Sequence, residues 1–126
     1  MDKAQAIHKF WSSFDLPAYD STTVPTGDNA PQFPYITYDV KTDSMDNVLA
    51  MSASIWYRST SWEQITHKTE DIARAVSGSG YYIDTVDGGY MWLTKGNPFA
   101  QRMSDPDDDM IRRMYINIMV EFLTAY

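Results

Sequence analysis

Between Met114 and Phe122 every second residue is apolar: Met114, Ile116, Ile118, Val120 and Phe122 alternate with Tyr115, Asn117, Met119 and Glu121. A period of two sends successive side chains to opposite faces of an extended chain, so this run predicts a half-buried β-strand. It follows an acidic turn, Asp105-Pro106-Asp107-Asp108-Asp109, and a segment Gly96-Asn97-Pro98-Phe99-Ala100-Gln101-Arg102. Such a strand would close an antiparallel sheet at its C-terminal end and offer one polar face to water or to a partner chain.

Upstream, the pattern supplies the rest of a sheet and two helices. Ala4, Ile7, Phe10, Trp11 and Phe14 recur at steps of three and four, which predicts an amphipathic helix over 2–15 ended by Leu16-Pro17. Residues 18–34, with three prolines, read as a long irregular connection. Strands are expected over 34–40 and 48–57, joined through a polar turn at Thr42 to Asn47. A capping box, Thr60 with Glu63 or Ser61 with Gln64, opens a helix over 62–77 whose stripe is Trp62, Ile65, Thr69, Ile72 and Val76. Gly78-Ser79-Gly80 ends it. Residues 81–86 and 90–94 flank Asp87-Gly88-Gly89, a hairpin signal, because those residues accept positive φ. The order helix, hairpin, helix, hairpin, strand predicts an α+β fold: an antiparallel or mixed sheet with helices packed on one face. At 126 residues it is one domain spanning 1–126.

Composition narrows the function. A net charge of −7 and a pI near 4.5 argue against undirected binding to nucleic acid or anionic membranes, which relies on Lys and Arg. The chain contains no cysteine, so disulfides, thiolate metal sites and cysteine nucleophiles are excluded. No apolar run approaches the roughly 20 residues that span a bilayer, and Met1-Asp2-Lys3-Ala4 has no basic, then apolar, leader. A cytoplasm-like location, or a place inside a particle, is expected.

Candidate chemistry reads poorly. His8 and His67 stand singly on helices and read as solvent-facing. Asp105, Asp107 and Asp109 occupy the first, third and fifth places of a calcium loop, but Met110 stands where glycine is needed and Ile116 where the bidentate acid is needed. Ser79 lacks a nucleophile-elbow glycine and a following histidine, and the same glycines make no dinucleotide fingerprint. No enzyme, metal or cofactor is expected. Four tryptophans, nine tyrosines and eight methionines are types enriched in protein interfaces. Both sides of the 48–57 strand are apolar or small, so one face is expected under helices and the other under a second subunit.

Pro34-Tyr35-Ile36-Thr37-Tyr38, the strand Ser54 to Trp62, and Asn97-Pro98-Phe99-Ala100-Gln101-Arg102 through Arg112-Arg113-Met114-Tyr115 together resemble the tail terminator, or tail completion, proteins of long-tailed phages and prophages. The resemblance covers nearly the whole chain. It implies a homohexameric ring at the head-proximal end of the tail, assembled in the host cytoplasm. The ring would end polymerisation of the tail-tube protein and present a surface to the head-tail connector protein, with DNA passing through without being specifically bound.

A closed ring needs two different patches per subunit that meet head to tail. Sheet edges are natural patches, and the expected ones are the 48–58 strand with Trp56 and Arg58, and the C-terminal strand with Arg112, Arg113 and Tyr115. The segment 18–34 and the acidic turn with Asp105, Asp107, Asp108 and Asp109 are the candidates for tube or connector contact. The alternatives are a neck ring on the connector side of the same junction and a small non-enzymatic binding module.

Overall fold

The computed structural model of the chain describes residues 3–39, 48–84 and 89–123. The turn expected at Thr42 to Asn47 lies outside them, as do Asp2, Val40 and the Asp87-Gly88 part of the second turn. The elements in chain order are α1 (Lys3–Ser12), β1 (Ala18–Asp20), β2 (Tyr35–Tyr38), β3 (Val48–Arg58), α2 (Glu63–Ala75), β4 (Tyr81–Asp84), β5 (Tyr90–Ser104) and β6 (Ile111–Leu123). They form an α+β fold around one six-stranded mixed sheet of order β1-β2-β3-β6-β5-β4. Only β1 and β2 run parallel; the other neighbours are antiparallel.

The alternation read from the sequence decides which side of the sheet is covered. Met51, Ala53 and Ile55 of β3, Met91 and Leu93 of β5, and Met114, Ile116, Ile118, Val120 and Phe122 of β6 are all buried. They join Ile7, Phe10 and Trp11 of α1 and Ile65 and Ile72 of α2 in one cluster, so both helices cover the same face. Burying each large side chain of this kind stabilises the fold by about 1.5–3 kcal/mol. Phe10 packs edge-on against Trp11 and Tyr81, at 4.8 and 5.3 Å, which fastens α1 over the β4 side of the sheet.

Several expectations need correction. The C-terminal strand does not close the sheet; β6 lies between β3 and β5, and it pairs with both along most of its length. Consequently β3 and β6 are the two central strands and not edges, and the true edges are the short strands β1 and β4. The connection 18–34 is not wholly irregular, since Ala18–Asp20 adds a parallel edge strand through Ala18↔Ile36 and its neighbours, and Gly27–Asn29 makes a 3₁₀ turn. Periodicity does not see a three-residue strand.

Both helices are shorter than their patterns. Helix α1 stops at Ser12, where Ser13 turns its hydroxyl back to the Phe10 carbonyl at 2.6 Å. The chain then reverses at Asp15, which adopts a positive φ of 63°, a conformation that Asp tolerates better than most residues. Ala4 is exposed and Ala6 is buried in its place. At the start of α2 the reciprocal capping box does not form; Ser61 Oγ alone accepts the Glu63 N–H, at 3.0 Å.

The Gly96 to Arg102 segment begins with a bulge in β5, where the register with β6 shifts between Lys95 and Ala100, and pairs regularly again from Ala100 to Arg102. A Cβ on Gly96 would stand 2.6 Å from the Asn117 carbonyl oxygen, so β5 presses against β6 there in a way only glycine allows. Asn117 Nδ2 donates to the Pro98 carbonyl at 3.1 Å and pins the bulge in place.

Candidate functional site

Among the described residues neither α1 nor α2 lies on the second face of the sheet, which carries the odd-numbered residues of β6 and the even-numbered residues of β3. Its centre of chemistry is the row Tyr35, Trp56, Arg113 and Met103, which the strand register places side by side across β2, β3, β6 and β5. Tyr35 stacks on Trp56 with 6.1 Å between ring centroids and 16° between planes. The Trp56 indole N–H donates to Thr37 Oγ1 at 3.0 Å, which fixes the ring. Above it the Arg113 guanidinium carbon stands 4.8 Å from the Trp56 centroid and 5.8 Å from that of Tyr115.

Arg113 Nε donates to Ser54 Oγ at 3.0 Å. Arg113 forms no ion pair among the described residues; its close partners there are the two aromatic faces and the Ser54 hydroxyl. Beside this row lies a cup of about 330 Å³ bounded by Ser21, Tyr35, Asp39, Trp56 and Arg113. Asp39 closes its far side, accepting hydrogen bonds from Ser21 at 2.5 Å and from Ser52 at 2.8 Å. Ser52 and Ser54 are buried on this face and each is hydrogen-bonded, Ser52 to Asp39 and Ser54 to Arg113. Burial pushes the Tyr35 phenol up from its ordinary value, so the ring is neutral across the physiological range.

A second aromatic group occupies the opposite corner of the same face. Tyr82 stacks on Trp92 at 6.1 Å and 12°, and Tyr90 approaches Tyr82 at 5.6 Å. The Trp92 indole donates to the Ser79 carbonyl at 2.6 Å. Tyr82 is 53% exposed and Tyr90 38% exposed, among the most exposed large apolar side chains of the described residues. Two acids share this corner: Glu121 lies opposite Trp92 in the register and Asp84 opposite Tyr90. The sequence reading passed over it, although Tyr82, Asp84, Tyr90 and Trp92 alternate on one side of the hairpin signal.

The five residues expected at subunit contacts therefore divide. Trp56, Arg113 and Tyr115 come together on the open face. Arg58, at the end of β3, is engaged within the chain by Asp108, with Nη2 3.2 Å from Oδ2. Arg112 points to the other side of the sheet; its guanidinium and that of Arg102 stand 5.3 and 4.9 Å from the Trp62 ring, and it donates to the Asp109 carbonyl.

The acidic turn is ordered by its own backbone. Asp105 Oδ1 accepts the N–H groups of Asp107 at 2.8 Å and Asp108 at 3.3 Å. Asp107 and Asp109 are exposed. The Met110 N–H, working against partial desolvation, and the Arg58 guanidinium hold the Asp108 carboxyl below the usual range. Among the described residues no group of three or more His, Asp or Glu is placed to hold a metal ion. His8 is anchored by Nδ1 to the Tyr38 hydroxyl at 2.8 Å, and His67 is exposed. No helix among the described residues is long and apolar enough to cross a membrane.

The arrangement is suited to binding a surface: two aromatic platforms, one holding a guanidinium and one two carboxylates, none of the three in an ion pair among the described residues. No protein-family model matches the chain, and no curated protein matches it either.

Proposed function

We propose that the protein is a structural component of a phage virion, a ring subunit of the tail-terminator kind that caps the head-proximal end of the tail tube and presents a surface for joining the head. One observation carries the reading: Trp56, Arg113 and Tyr115, on the two central strands, gather on the sheet face opposite the one that α1 and α2 cover. Aromatic residues and arginine are the types that anchor protein interfaces. Because β3 and β6 are central, contact through them is made by side chains on the face and not by adding strands at an edge. The net charge of −7 suits a ring whose channel passes DNA without retaining it.

The test is electron microscopy of the particles formed when the gene is deleted from its phage or prophage. Overlong tails without heads are the expected result. Tails of normal length that fail to join heads would move the protein to the neck ring, and complete particles would remove it from the virion.

A further inference from the structure

Arg113 and Asp39 line one cup of about 330 Å³, yet they form no ion pair with each other. Each is tied instead to a buried serine of β3. Arg113 Nε donates to Ser54 Oγ at 3.0 Å, and Ser52 Oγ donates to Asp39 Oδ2 at 2.8 Å. Ser21 holds the other carboxylate oxygen, Oδ1, at 2.5 Å. Ser52 and Ser54 stand two residues apart on one strand, about 7 Å. The strand therefore keeps a guanidinium and a carboxylate apart across an open cavity. Both have capacity left: only Nε of Arg113 is hydrogen-bonded among the described residues, and a carboxylate with about four acceptor positions receives two hydroxyls. Val24, Tyr35 and Trp56 add an apolar wall to the same cup.

We propose that the cup binds a small zwitterion of the α-amino-acid class, with its carboxylate on the Arg113 Nη donors, its ammonium on Asp39 and an apolar side chain against Val24, Tyr35 and Trp56. This goes beyond the ring reading and does not depend on it. A ligand of one sign would pair with one wall and leave the opposite charge desolvated without a partner, whereas a ligand carrying both signs satisfies both. The roughly 7 Å between the two serine anchors suits two charge-assisted hydrogen bonds of about 2.8 Å and a short spacer. The volume lies at the small end of ligand pockets, about 300–1,000 Å³, which favours a single amino acid over a longer peptide. The site is also built in advance, because the Trp56 ring is fixed through Thr37 and by its stack on Tyr35, and the two charges are fixed through Ser52 and Ser54, so little ordering is left for binding to do.

The test titrates the full-length chain with L-phenylalanine, L-phenylalaninamide, which lacks the carboxylate, and N-acetyl-L-phenylalanine, which lacks the ammonium. Binding is followed by calorimetry and by the NMR signals of the indole N–H groups. Saturable binding of L-phenylalanine with a dissociation constant below about 1 mM is expected, and both analogues should bind about tenfold more weakly. The Trp56 indole, bonded to Thr37 at the cup, should shift on binding, and the Trp92 indole, bonded to Ser79 at the other corner, should not. Two variants, each verified as folded by circular dichroism, assign the charges. Asp39→Asn should weaken L-phenylalanine about tenfold and leave N-acetyl-L-phenylalanine unchanged, and Arg113→Gln should weaken L-phenylalanine similarly and leave L-phenylalaninamide unchanged. A merely structural role for either residue would weaken all three ligands alike. That result, equal binding of the three ligands to the parent chain, a Trp56 signal that does not move, or no saturation by about 10 mM would each overturn the proposal.

Discussion

Arg58 and Asp108, fifty residues apart in the chain, meet through a guanidinium whose Nε and Nη2 both donate to Oδ2, at 3.3 and 3.2 Å. The bond joins the end of central strand β3 to the turn that launches β6, and the Ser59 N–H donates to the Met110 carbonyl at 2.8 Å beside it. Two segments assigned to different partners by sequence are one corner of the fold.

A pH dependence follows from the lowered Asp108 pKa. A carboxyl held below its ordinary 3.8 in the folded state adds stability that is fully present above that value and is lost as pH falls through the lower folded one. Asp108→Asn is therefore expected to be less stable than the parent at neutral pH, with the gap closing below pH 3.8. Arg58→Ala should keep most of the pH dependence, since the Met110 N–H is the larger cause. Urea unfolding at a series of pH values measures both.

Ile116 and Tyr115 are sequence neighbours on opposite faces, the first fully buried and the second half-buried. Ile116→Ala is expected to cost about 2–5 kcal/mol through the cavity it leaves. Tyr115→Ala should cost about 1 kcal/mol, the scale of a cross-strand and cation–π contact. Midpoints of urea unfolding at a common slope distinguish them, and equal losses would mean that the open face is as tightly packed as the core.

Gly96→Ala is expected to destabilise by about 1–3 kcal/mol, because the new methyl must displace the Asn117 backbone. Asn117→Ala should be milder, as it removes only the hydrogen bond to Pro98. Thermal unfolding of the two variants gives the order.

Ser61→Ala should lower stability by about 0.5–2 kcal/mol, and Thr60→Ala should leave it nearly unchanged, since only the Ser61 hydroxyl caps α2. The reverse order would show that the helix begins earlier than Glu63.

The buried side of the sheet was legible because period two is a strong signal when one face is apolar: Met114 to Phe122 and Met51 to Ile55 went where their alternation placed them. Helix α2 was legible from Ile65, Thr69, Ile72 and Val76, all of which are buried. Strand order was not, because periodicity says which side a residue faces and not which strand lies beside it; the last strand could close the sheet or enter its middle with the same pattern. Of the candidate residues, Trp56, Arg113 and Tyr115 converged because they share one face of adjacent strands. Arg112 separated from them by the same rule, being one residue out of phase with Arg113.

The place of β6 also sets when the open face is completed. Strands β1 to β3 and strands β4 to β5 form two blocks with no pairing between them except through β6, and the closure is remote, with Val48 opposite Glu121. Such long-range pairing is slow compared with helix or hairpin formation. Tyr35 stacks on Trp56 within the first block and Tyr82 on Trp92 within the second, but Arg113, Tyr115 and Glu121 ride on the strand that arrives between them, so the two aromatic pairs share one face with those charges only when the sheet is whole. An incomplete chain then carries at most the separate aromatic pairs, without the guanidinium over Trp56 or the carboxylate opposite Trp92.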